Sequence, residues 1–153
     1  MGLGIRVVST GKDRWLVTTV IADPTKLAGA ETFSHACDAG SDPASRGKEL
    51  THWVESILAR REPIDAAVLF EQDYFPRAKL TNGAKARLRL EGATIAALSS
   101  RVSRVEVKDG PGLGSLIGPG GKPGAMAEGA KLSLGADYNE AASAALAALA
   151  LVA

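Results

Sequence analysis

The stretch LGIRVVSTGKDRWLVTTVIA, residues 3–22, decides the fold. It contains two runs rich in β-branched and apolar residues, Leu3–Ser9 and Trp15–Ala22, separated by the segment TGKDR at residues 10–14. Two such runs joined by a short loop that contains glycine are typical of a β-hairpin. The sequence therefore predicts that the chain begins with two antiparallel strands.

Downstream of the hairpin, the sequence predicts alternating strands and helices. The clearest helix is indicated by apolar residues at steps of three and four from Leu50 to Leu58, and Pro63 follows it. The apolar run Ile64–Phe70 is typical of a strand covered on both faces. The other predicted elements are a third strand at Glu31–Ala36, a loop at Asp38–Gly47, a helix at Ala84–Ser99, a fifth strand at Arg104–Val107, a glycine- and proline-rich loop at Asp109–Gly124, and helices within Ala125–Leu134 and from Tyr138 onwards.

This order of elements predicts the fold class. Three consecutive strands followed by alternating helices and strands give an α/β protein with a mixed five-stranded sheet. The sheet would consist of a three-strand antiparallel meander plus two parallel strands, flanked by helices. The length of 153 residues fits a single domain over residues 1–153. An apolar fraction of 46% and a charged fraction of 23% are ordinary for globular proteins and argue against a disordered or fibrous chain.

Three features bear on the cellular compartment. The richest apolar stretch, Ala141–Ala153, is too short to cross about 30 Å of hydrocarbon, so no membrane partner is expected. The first residues, Met1–Val8, lack the pattern of an export signal. Cys37 is the one cysteine, which excludes an internal disulfide bond. Together these features favour a cytoplasmic protein.

Positive charge is concentrated in one part of a nearly neutral chain. The net charge is +1, but residues 77–104 contain seven basic side chains and only one acid, Glu91. This local surplus has two interpretations, a surface that contacts phosphates or a solvated helix face whose counter-charges lie elsewhere. The seven basic residues are Arg77, Lys79, Lys85, Arg87, Arg89, Arg101 and Arg104.

Three short motifs occur in a suggestive order. They are LGIR at residues 3–6, EQ at 71–72 followed by LRLEGA at 88–93, and DYNEAA at 137–142. In this order they resemble the RuvC-type Holliday-junction resolvases of the ribonuclease H-like superfamily. The resemblance covers the first strand and most of the chain after Ile64, and it implies a ribonuclease H-like fold.

The resemblance also implies a chemistry. Members of this family are nucleases that hydrolyse phosphodiesters with two divalent ions, Mg²⁺ or Mn²⁺. The two ions activate a water and stabilise the leaving oxygen. By position, Glu71, Asp137 and Glu140 match catalytic metal ligands. The implied partners are branched or single-stranded DNA and a second copy of the chain in a homodimer. The residues expected to contact nucleic acid are Arg77, Lys79, Lys85, Arg87, Arg89 and Lys122.

One position departs from the family pattern. The family has an aspartate in the first strand where this chain has Arg6, and a permanent cation there repels divalent ions unless Asp13 of the hairpin compensates. An ion pair from Arg6 to Glu71 or Asp137 would instead make the pocket a self-neutralised structural site. Two functions therefore stay open, a metal-dependent structure-specific endonuclease and a catalytically silent interaction module that keeps the fold.

Two of the candidate motifs have simpler structural explanations. Asp137 and Glu140 are spaced as a capping box at a helix start, which needs no metal. The glycine-rich segment 110–124 fails the phosphate-loop pattern, because Leu116 replaces a required glycine and Pro123 follows Lys122. We expect that segment to be a mobile loop.

Overall fold

The computed structural model describes residues 1–37, 42–72 and 80–153. The strands are β1 (Gly2–Gly11), β2 (Arg14–Ala22), β3 (Glu31–Cys37), β4 (Ala66–Phe70) and β5 (Arg104–Lys108). The α-helices are α1 (Pro43–Ala59), α2 (Asn82–Ser99), α3 (Gly110–Ile117), α4 (Lys122–Ala130) and α5 (Asn139–Val152). Two short 3-10 helices cover Leu27–Gly29 and Ala136–Tyr138.

The five strands form one mixed sheet in the order β3-β2-β1-β4-β5. The pairs β1–β2 and β2–β3 are antiparallel, whereas β1–β4 and β4–β5 are parallel. The predicted meander of three strands followed by two parallel strands is therefore confirmed. β1 is the middle strand of the sheet, and β4 lies between its two parallel neighbours, β1 and β5.

Helices cover both faces of the sheet. Side chains alternate along β1, so Leu3, Ile5 and Val7 face a core that also contains Val54 and Leu98 from α1 and α2. The opposite face carries side chains of β4 that pack against the remaining three helices. That second core contains Ala66, Val68, Phe70, Leu113, Ala125, Ala144, Ala147 and Ala148.

Glycine lets α5 lie directly on the middle strand. A Cβ atom on Gly4 would lie 2.0 Å from the carbonyl oxygen of Ala141 and 2.2 Å from the backbone nitrogen of Ala145. Gly2 has a similarly close contact with the backbone of α5. Small residues on both sides thus allow strand and helix backbones to approach closely. Within the described ranges, no helix combines the length and apolarity needed to span a membrane.

The segment 110–124, predicted as a loop, forms α3 and the first turn of α4 instead. Asp109 caps α3 by accepting a hydrogen bond of 2.8 Å from the Gly112 backbone N–H. Leu113 is fully buried, and a Cβ atom on Gly114 would lie 2.3 Å from the Gly121 Cα. The glycines therefore serve close packing between two helices. The predicted loop at Asp38–Gly47 is likewise wrong from Pro43 onwards, where α1 begins, and residues 38–41 lie outside the described residues.

The middle strand is longer than its parallel neighbour. β4 pairs with β1 from Gly2 to Arg6 and ends at Phe70, opposite Arg6. β2 stays paired with β1 as far as Gly11. Among the described residues, the second half of β1 therefore has a neighbouring strand on one side only, and we call its other side the open edge of β1.

Candidate functional site

A cleft with a volume of about 870 Å³ lies where β1 extends past β4. Its floor is formed by the open edge of β1, from Arg6 to Ser9 and at Gly11, together with the hairpin turn at Lys12 and Asp13. One wall is formed by the first turns of α2, from Thr81 to Leu88, and Lys122 of α4 also lines the cleft. Three distant parts of the chain thus meet at one end of the sheet.

The charged side chains that line this cleft are mostly basic. Arg6, Lys12, Arg87 and Lys122 face Asp13, the one acid among the described residues of the lining, which is a surplus of three positive charges. The first turn of α2 contains no acid, and the positive end of that helix dipole faces the same space. We refer to this site as the cationic cleft. The excess of cations over acids in this lining favours an anionic ligand.

Arg6 is a buried cation held in one orientation. Its side chain is 9% exposed, and its Nε donates a hydrogen bond of 2.8 Å to the Glu140 Oε2. Its Nη1 donates to the Phe70 carbonyl oxygen at 2.9 Å, and its Cζ lies 4.5 Å from the centroid of the Phe70 ring. The expected ion pair therefore exists, but the partner is Glu140 and neither Glu71 nor Asp137.

A second ion pair fixes Arg87 in the wall of the cleft. Its Nε lies 3.4 Å from the Glu91 Oε1, and its Nη1 donates a hydrogen bond of 2.5 Å to the Gln72 Oε1. Glu91 is 4% exposed. Burial raises the pKa of Glu91 and the nearby Glu71 adds to that rise, whereas the positive charges of Arg87 and Arg6 oppose it.

The raised pKa of Glu91 predicts a pH-dependent stability. The folded protein binds the proton of Glu91 more tightly than the unfolded chain does, where the carboxyl group has the ordinary pKa of 4.5. Protonated Glu91 therefore makes its full contribution to the free energy of unfolding below pH 4.5. This contribution is lost as the pH rises through the folded-state pKa. We expect Glu91→Gln, which keeps the side-chain shape, to remove this loss and to be more stable than the wild type near neutral pH. Urea unfolding midpoints of both proteins across a pH series test this, and parallel curves would contradict it.

The three predicted metal ligands have different surroundings. Glu71 follows β4, and its backbone N–H donates to the Lys108 carbonyl oxygen at 2.9 Å. Asp137 lies exposed in the 3-10 helix Ala136–Tyr138, and Glu140 in the first turn of α5 pairs with Arg6. The capping-box interpretation was wrong, because the N-cap of α5 is Tyr138 and no side chain caps it.

The donor set does not fit a pair of divalent ions. Glu140 already accepts a hydrogen bond from the buried Arg6, whose positive charge would repel a metal at the same place. In the ranges 1–37, 42–72 and 80–153, no group of three or more His, Cys, Asp or Glu side chains is arranged to hold a metal ion. Metal binding by Glu71, Asp137 and Glu140 stays a prediction.

The predicted nucleic-acid contacts are divided by the structure. Arg87 and Lys122 lie in the cationic cleft. Lys85 is exposed on α2 outside the lining, and Arg89 lines a small recess with Arg46 of α1. Arg77 and Lys79 lie outside the described residues. The basic segment of the sequence is thus not one surface.

Two functional candidates were missed from the sequence. Lys12 lies at the hairpin turn, and its place in the cleft follows from the length of β1 relative to β4. Glu91 belongs to the motif LRLEGA, but its burial and its pairing with Arg87 depend on how α2 packs. The sequence signal for Glu91 was its isolation among basic residues.

Comparison with known proteins identifies the fold. The chain is similar to a structure of Thermus thermophilus RuvC, with a TM-score of 0.65 and 15% identity over 98% of this chain and 93% of that one. It is also similar to T. thermophilus RuvC in complex with Holliday junction substrate, with a TM-score of 0.66, 15% identity and coverages of 98% and 92%. No family model and no curated protein matches the sequence. The chain has the RuvC-type, ribonuclease H-like fold.

Proposed function

We propose that this protein binds branched or single-stranded DNA in the cationic cleft, through the sugar–phosphate backbone and without metal-dependent cleavage. This proposal rests on the convergence, among the described residues, of four cations and one acid at one end of the sheet. Phosphate contacts supply most of the affinity of proteins that bind nucleic acid without reading its sequence. A net positive lining beside a helix N-terminus is suited to such contacts.

The fold supports the choice of ligand. One of the two similar structures is RuvC in complex with Holliday junction substrate. The resemblance seen in the sequence motifs points to the same class of DNA. A four-way junction is therefore the first probe, with a linear duplex and a single strand beside it.

Hydrolysis of the bound DNA is not expected, because of Arg6. Two-metal hydrolysis needs oxygen ligands that can gather around a pair of cations. Here Glu140 already forms an ion pair with Arg6, and both side chains lie on the side of the sheet that carries Phe70. A protein with this arrangement would bind DNA and leave its strands intact.

Binding is tested by fluorescence anisotropy with labelled DNA. We expect Lys12→Gln and Arg87→Gln each to weaken binding by about five- to tenfold, because each removes one phosphate contact. Lys26→Gln is the matched control, since Lys26 is exposed near the opposite end of the sheet, just beyond the Gly2–Ala22 pair. Equal affinities for all three variants and the wild type would refute binding in the cleft.

Cleavage is assayed in parallel. The same DNA is incubated with the protein in Mg²⁺ and in Mn²⁺, and we expect it to stay intact. Cutting that disappears in Glu71→Gln would overturn the non-cleaving part of the proposal. Absence of any DNA binding would favour the silent interaction module instead. The molar mass of the free protein and of its complex, measured by light scattering, tests the predicted homodimer.

A further inference from the structure

The guanidinium of Arg6 is held in a fixed orientation that suits the binding of an anion. A side chain that is only 9% exposed cannot exchange its partners freely, and the contacts to Glu140 and Phe70 hold its guanidinium plane in place. Those two hydrogen bonds use Nε and Nη1, so Nη2 takes part in neither. Arg6 nevertheless lines the cationic cleft. A guanidinium presented in this way binds an oxyanion without losing side-chain freedom on binding.

We propose that Arg6 is an anion-binding residue that donates directly to a phosphodiester oxygen at the base of the cleft, in a site that needs no divalent ion. The inference rests on the proposed function and names the residue and the chemical group on which it depends. Arg6 has the role of a fixed cation there, and Glu140 has two opposing effects. It orients the guanidinium, and its negative charge competes with the incoming phosphate.

A second cation lies against the same aromatic ring. The Nζ atom of Lys122 is 5.6 Å from the centroid of the Phe70 ring, on which the guanidinium of Arg6 also lies. Two positive side chains therefore contact the Phe70 ring at the end of β4. A phosphate bound at Arg6 also experiences the charge of Lys122, which strengthens a site that already has a fixed donor.

A buried ion pair can be purely structural, and the choice of variants separates the two roles. Arg6→Gln alone leaves Glu140 without its partner and therefore tests stability as well as binding. The double variant Arg6→Gln/Glu140→Gln removes both charges, so the net charge of the pair is unchanged. Glu140→Gln alone keeps the cation and an acceptor for its Nε while it removes the competing carboxylate.

The experiment measures binding of a labelled four-way junction in buffer that contains EDTA. We expect the double variant to bind about tenfold more weakly than the wild type, the loss of one charge-assisted hydrogen bond. Glu140→Gln should bind several-fold more tightly, because repulsion of the phosphate is gone. Urea unfolding of each variant confirms that it is folded under the assay conditions.

If the role of Arg6 is only structural, neither of these two changes in affinity is expected. The double variant would then bind as the wild type does, and Glu140→Gln would gain nothing, which would overturn the proposal. Binding by the wild type that is lost in EDTA would overturn it as well. If Lys12→Gln and Arg87→Gln weaken binding while the Arg6 double variant does not, this inference fails and the proposed function survives.

Free phosphate and a nucleic-acid backbone share the same chemistry at this site. Inorganic phosphate is therefore added as a competitor to the wild type and to the double variant. We expect it to displace DNA less effectively when Arg6 is absent. Phosphate binding that depends on Arg6, together with DNA binding that does not, would assign the site to a free anion and refute the nucleic-acid assignment.

Discussion

Raising the salt concentration from about 50 to about 200 mM should weaken binding of a four-way junction about 150-fold. Release of counterions from duplex DNA lowers the logarithm of the affinity by about 0.9 per phosphate contact for each tenfold rise in salt. The estimate takes one phosphate contact from each cation of the cleft, Arg6, Lys12, Arg87 and Lys122. Competition by salt of this size is the signature of backbone binding, since contacts to base edges depend little on counterions.

The slope should change with the variants as well as with the salt. Lys12→Gln/Arg87→Gln removes two contacts, so the slope of the logarithmic plot should fall by about two. Lys26→Gln should leave the slope unchanged. A wild-type slope near zero would show that the ligand is held by something other than phosphate contacts, whatever its affinity.

Replacement of Gly4 by alanine should destabilise the fold by about 3 kcal/mol, the upper part of the usual cost of overpacking a core. The new Cβ atom would lie 2.0 Å from the Ala141 carbonyl oxygen and 2.2 Å from the Ala145 backbone nitrogen. Both contacts are to helix backbone, so no side-chain rotation relieves them. The change in the midpoint of urea unfolding measures this effect. An unchanged slope of the unfolding free energy against urea concentration checks that unfolding stays two-state.

Gly92→Ala is the matched control for this substitution. Gly92 lies in α2, and a Cβ atom there would meet nothing within 4 Å. The same replacement should therefore stabilise the protein by up to about 1 kcal/mol, because alanine favours the helix more than glycine does. A Gly4→Ala protein as stable as the wild type would show that α5 does not lie on β1 as described.

The parts of the fold that sequence could predict are those governed by periodicity. In the first hairpin apolar and polar residues alternate, and from Leu50 to Leu58 apolar residues recur at steps of three and four. Each pattern is compatible with one kind of secondary structure that buries its apolar face. The segment GPGLGSLI, residues 110–117, was mistaken for a loop because glycine and proline favour turns in an isolated chain. Tertiary packing of Leu113 overrides that preference.

The candidate site was predictable only where it depends on charge. Arg87 and Lys122 were expected to bind nucleic acid and do line the cleft. The partner of Arg6 was not predictable, because it depends on where α5 begins relative to β1. The helix starts at Asn139, which brings Glu140 to Arg6 and leaves Asp137 exposed.

The open edge of β1 has a consequence for how this protein can diverge. β4 does not pair with residues 7–11 of β1, so the main-chain amide and carbonyl groups on that edge are present whatever side chains these positions carry. Substitutions at those positions therefore leave the main-chain polar groups of this edge in place. Only an insertion that lengthens β4, or a deletion that shortens the hairpin, would erase it, so homologues that lose binding should differ there in length rather than in composition.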